Sequence, residues 1–153
     1  MMNGLILGML SMVMLQACAQ ASEDNPDMLA INLMDYKTLA FHMHPHLEIE
    51  ILGEQYVIPA NIGASRQAIR VIHTHEPDGT LHVESPYPHQ FVLADFFTIW
   101  GERFDKTCIF NYCIDEEHEL LVFVNGGQSD LYENTPLRED DEIKIVYRKS
   151  IGE

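Results

Sequence analysis

Apolar and polar residues alternate from 41 to 51. Phe41, Met43, Pro45, Leu47, Ile49 and Ile51 fall on one side, and His42, His44, His46, Glu48 and Glu50 on the other. Successive side chains of an extended chain point to opposite faces, so this stretch predicts a strand with one buried face. Residues 52–55 turn the chain into a returning strand at Tyr56-Val57-Ile58, which Pro59 ends because it has no N–H to donate. A second hairpin is expected from 68–75 and 80–85, joined through Glu76-Pro77-Asp78-Gly79, where Pro at the second turn position and Asp-Gly after it favour a tight reversal. Residues 93–101 instead place apolar side chains at helical spacing and end on a glycine, predicting the one helix. The tail alternates again, with 120–124 turning through Asn125-Gly126-Gly127 and 141–147 forming a closing strand. The fold class expected is α+β, predominantly antiparallel β hairpins with one short helix, in a single β-rich domain over 40–150.

The second hairpin also places histidines. With a four-residue connection at 76–79, opposed positions sum to 155, so His75 lies opposite Thr80 and His73 opposite His82. His73, His75, His82 and Glu84 then share a face. The other face holds Ile72, Thr74, Leu81 and Val83, apolar enough for a core. A slip of one residue would bury His82 and expose Leu81 and Val83, so burial and histidine grouping select the same register. Cross-strand Cβ atoms stand about 4.5–5.5 Å apart, and imidazole nitrogens sit about 2.0–2.1 Å from a shared zinc ion. His73, His75 and His82 can therefore converge on one ion, while His42, His44 and His46 supply a second row. Glu84 and Glu76 are the carboxylates placed to orient those imidazoles or to ligate themselves. Glu48, Glu50 and Asp78 are further acids nearby. His89 and His118 read as ordinary surface histidines, and Met43 points to the apolar face.

Charge narrows the partners. The 153 residues carry 24 Asp and Glu against 9 Lys and Arg, a formal net charge of −15. Such an excess repels phosphate backbones and anionic lipid headgroups while drawing cations to the surface, so nucleic acid is not expected as a partner. A 46% share of hydrophobic residues supports a folded core.

The first 22 residues carry no charge, and 3–17 form an apolar run too short to span a bilayer comfortably. They read as a signal peptide over 1–21, although the start lacks the positive charge such signals open with. Leu15-Gln16-Ala17-Cys18 resembles a bacterial lipobox, which would lipidate Cys18, and Ala19-Gln20-Ala21 offers an ordinary cleavage site instead. Both predict an exported protein, periplasmic or held at the membrane through lipidated Cys18. Residues 22–39 read as a linker or N-terminal arm. In an oxidising compartment Cys108 and Cys113 are expected to form a disulfide; the alternatives are two free thiols or soft ligands for copper.

The run His-x-His-x-His-Leu, then His-Thr-His-(acid)-x-x-Gly-x-x-His-x-Glu-Ser-Pro and Phe-Phe-x-x-Trp-Gly, resembles a group of small exported bacterial and archaeal proteins of unassigned function. The resemblance covers about 41–147 and implies a secreted β-rich domain with a histidine cluster, without a reaction. Over its last thirty or so residues the chain also looks like the end of a β-grasp domain. The His-x-His on one strand with a third His on its neighbour is similar, in local geometry only, to the zinc site of α-type carbonic anhydrases.

All-imidazole sites suit copper and zinc. The expected function is an exported copper- or zinc-binding protein that captures, buffers or delivers the ion. The alternative is a zinc enzyme in which a three-His site leaves a position open for an acidified water. An adhesion or assembly module whose histidines sense pH is a third reading. Nucleophile triads, phosphate loops and dinucleotide fingerprints are not visible.

Overall fold

The computed structural model describes residues 27–151. The stretch read as a signal peptide, Cys18 and the first residues of the arm lie outside the described residues.

Two strands replace the single one expected at 41–51. β1 (Phe41–Met43) and β2 (His46–Ile51) are separated at His44 and Pro45. The apolar-polar alternation continues across the break, with Pro45, Leu47, Ile49 and Ile51 buried. What changes is the pairing: β1 belongs to one sheet and β2 to another. Proline has no N–H and cannot continue a ladder on both sides. The Pro45 carbonyl instead accepts from Leu81 N–H at 2.9 Å, and His46 N–H donates to the Asp141 carbonyl at 2.8 Å.

β2 turns through Leu52 and Gly53 into β3 (Glu54–Tyr56). The second hairpin supplies β4 (Ile72–His73) and β5 (His82–Ser85). Ile72 faces Val83 and His73 faces His82, the register that burial favoured in the sequence. Ile72, Leu81 and Val83 have no exposed surface, so the reverse of this ribbon is dry. Thr80 does not face His75, as the hairpin arithmetic expected; it bridges to His46, because β2 runs alongside and takes its pairing groups. With β1 on the far edge of β5, the three-stranded antiparallel order is β1-β5-β4.

Helix α1 (Leu93–Trp100) follows. Its Leu93, Phe96 and Phe97 are buried, the Asp95 carboxylate accepts from Val92 N–H, and Gly101 ends it at φ +82°. Three two-residue strands come next: β6 (Phe104–Asp105), β7 (Cys108–Ile109) and β8 (Tyr112–Cys113). Cys108 and Cys113 face each other across β7 and β8 and are joined by a disulfide, so neither sulfur is a copper ligand. The chain closes with β9 (His118–Val124), β10 (Gly127–Ser129) and β11 (Glu142–Lys149).

The five-stranded sheet has the order β10-β9-β11-β2-β3. All its pairs are antiparallel except β11 with β2, which run parallel. Leu47, Ile49, Ile143, Ile145 and Val122 line its inner face in the same core that receives α1 and the reverse of the His hairpin. The architecture is α+β, mainly antiparallel, with one α-helix among the described residues.

Part of the stretch read as a linker or arm is core. Met28, Ile31 and Leu33 are buried, and Leu33 N–H donates to the Ile69 carbonyl at 2.8 Å. The side chain of Asn32 accepts from Met34 and Ile69 N–H groups, tying the segment down. Among the described residues no helix is long and apolar enough to cross a membrane.

Candidate metal centre

β5 is the middle strand of its sheet, so His82 has a neighbour on each side. β4 brings His73 directly opposite it, and His75 follows where the chain leaves that strand. On the other edge β1 brings His42 opposite Glu84, with His44 just beyond. The result is two groups of imidazoles around one shared ring. His42, His44 and His82 form the outer triad, and His73, His75 and His82 the inner triad. In each, one nitrogen per ring lies within 4.8 Å of the others. Two nitrogens on a tetrahedral zinc ion stand roughly 3.3 Å apart, given bonds of about 2.0–2.1 Å. Small side-chain rotations therefore close either triad on an ion.

Ring spacing follows the same pattern. His73 stacks on His82 with centroids 5.4 Å apart and planes 17° from parallel, and His75 meets His82 at 4.5 Å. On the outer side His44 approaches His82 at 4.9 Å and His42 at 4.3 Å.

The triads differ in burial. His73 is 2% exposed, whereas the His42 and His44 side chains are 44% and 40% exposed. Burial pushes the His73 imidazole below its ordinary value, against the Arg70 carbonyl and Glu84, which raise it; His75 and His42 lower it further. His82 is lowered too, first by burial and then by the imidazoles of His75, His73, His44 and His42. Both shifts favour the neutral form that a metal requires.

Hydrogen bonds fix which nitrogen carries the lone pair. His73 Nδ1 lies 2.9 Å from the Arg70 carbonyl, which can only accept, so the proton is on Nδ1 and Nε2 is the free donor atom. His42 Nε2 lies 2.9 Å from Glu84 Oε1, which assigns its proton there and leaves Nδ1 free. The same His42 Nε2 is 3.3 Å from His82 Nδ1. Glu84 therefore orients a ring, as such carboxylates do at metal sites.

Two residues named from the sequence stand apart. His46 is not in either triad. Because β2 has crossed to the five-stranded sheet, its Nε2 donates to the Asp78 carbonyl at 2.7 Å and its Nδ1 faces Glu142 at 3.2 Å. Glu76 is exposed in the turn and joins neither group. His89 is exposed beside Phe91, and His118 stacks on Tyr147 with its Nδ1 on Asp115; neither belongs to a triad.

Sequence reasoning missed two contributors. Glu139 accepts from the His44 N–H at 3.1 Å and stands 3.6 Å from its Nδ1, across 95 residues of chain. Arg70 acts through its backbone carbonyl, a group that no side-chain pattern reveals. Comparison with models of known families, with curated proteins and with solved structures returned no match.

Proposed function

We propose that this is an exported protein that binds copper or zinc through its histidine cluster and captures, buffers or delivers the ion. The observation that carries the reading is His82 on the central strand, flanked by His73 and His75 on one side and by His42 and His44 on the other. Imidazoles repel one another once protonated, so a group of five at this spacing is costly unless the rings stay neutral. Neutral imidazole is the form that ligates copper and zinc. The net charge of −15 supports the reading by concentrating cations near the surface. Export, by a signal peptide over 1–21 with anchoring through Cys18, is proposed with it on the sequence alone.

The zinc-enzyme alternative has less support. In it Glu84 or Glu76 would assist proton transfer at a metal-bound water. Glu84 is engaged by His42, and Glu76 stands in the turn. We also read the C-terminal part, where β11 runs parallel to β2 and antiparallel to β9, as β-grasp-like; a fold of this kind licenses no activity.

The test is metal analysis of untagged full chain, followed by titration with copper and zinc ions. Bound metal with micromolar or tighter affinity, weakened in His73→Ala, His75→Ala and His82→Ala, is the expected result. No bound metal with only millimolar affinity, or affinity unchanged in all three variants, overturns the proposal.

A further inference from the structure

The two triads are not two independent sites, because they share His82. A neutral imidazole has one lone pair, so His82 serves one ion at a time unless its second nitrogen also loses a proton. The triads also differ in access. The outer one is built from two rings about 40% exposed, edged by the carboxylates of Glu84 and Glu139. The inner one includes His73, at 2% exposure, whose ring the Arg70 carbonyl already orients with Nε2 free.

We propose that the cluster works as a two-station relay for a single copper or zinc ion, loaded at His42–His44–His82 and handed through His82 to His73–His75–His82. The relay rests on the metal-binding reading above and adds to it a direction and a stoichiometry. In the handover the ion exchanges the nitrogens of His42 and His44 for those of His73 and His75, while its bond to His82 persists. No electron moves, and His73 keeps its Nδ1 on the Arg70 carbonyl throughout, so that Nε2 is the nitrogen turned to the ion. The shared ligand keeps the ion from dissociating between stations. The outer triad is reached first because its rings face solvent and its carboxylates attract cations. The inner triad holds the ion because a buried, pre-oriented ring loses less freedom on binding. The outer rings return to solvent and to Glu84 once the ion has passed.

Rapid mixing of the full chain with Cu²⁺ alone, followed by ligand-field absorbance, tests this. The wild type should take up one tight equivalent in two phases, the first proportional to Cu²⁺ concentration and the second independent of it. His75→Ala should keep the first phase, lose the second, and end with affinity about tenfold or more weaker, the scale expected for disrupting a metal site. His75 is exposed, so this change leaves the core intact, and circular dichroism checks it. The double variant His42→Ala, His44→Ala should slow the first phase about tenfold or more. A single phase in the wild type, a second equivalent bound as tightly as the first, or loading of the double variant at the wild-type rate would overturn the relay and leave metal binding standing. Absence of micromolar Cu²⁺ binding by the wild type would overturn both.

Discussion

An alanine at position 79 would drive its Cβ into the backbone carbonyl oxygen of Leu47 and to 3.0 Å from His46 Nε2, at a φ of +87°. Both the backbone angle and the space demand glycine there. Gly79→Ala should destabilise the chain by about 2 kcal/mol or more, the cost of a strained backbone site, measured by urea unfolding. A loss near zero would show that the turn can re-form elsewhere. Glu84 is the residue whose role at the triads is most open to a conservative test. Glu84→Gln keeps the size and removes the charge that holds the His42 proton on Nε2. Because His42 belongs to the loading triad, the first phase of Cu²⁺ uptake should slow by about a few-fold to tenfold, with stability little changed. By contrast, His46→Ala should leave affinity unchanged, since its ring donates to the Asp78 carbonyl and lies outside both triads.

At the scale of elements, the site depends on a ribbon that is polar on one side and dry on the other. Leu81 is fully buried behind the imidazoles, and its N–H holds the Pro45 carbonyl where β1 and β2 part. Leu81→Ala should cost about 3 kcal/mol, within the usual range for a buried Leu truncation. It should also weaken metal binding, because β5 carries the shared ligand. Unchanged affinity in a folded Leu81→Ala protein would mean that the triads do not rely on the packing of β5. The hairpin register was legible in the sequence because it is local: a short turn and period-two burial select it together. The break at His44 and Pro45 was not, although the proline was in plain view. Periodicity tells which side a residue faces and is silent on which strand lies beside it. For the same reason His46 was grouped with His42 and His44.

For the whole molecule, pH and charge give the sharpest expectations. His73 and His82 are both held below the ordinary imidazole value of 6.5 in the folded state. The unfolded chain then binds more protons than the native one as pH drops. Their contribution to stability is complete above about pH 6.5 and is lost as pH falls from there through the lowered values. Metal-free protein should therefore weaken below that point, and His73→Gln should flatten the slope of urea midpoint against pH. An unaltered slope would show that His73 is not among the groups that titrate on unfolding. Metal at one hundred times its dissociation constant should add about 2.7 kcal/mol of stability, seen as a rise in melting temperature that a chelator reverses. The surplus of negative charge predicts that the rate of metal uptake falls as ionic strength rises, because screening shortens the reach of the field.

From the chain alone came the alternation that separates wet from dry faces, the helix at Leu93–Trp100, and the pairing of His73 with His82. All of these follow from spacing within a few turns or one hairpin. The fold decided which strands became neighbours: β1 beside β5, which completed a second triad on His82, and β2 beside β11, which took His46 away. It also brought Glu139 to His44 and buried His73 deeper than His42. Those outcomes depend on long-range pairing, where the free energy lies in burying one shared core and not in any local pattern of residues.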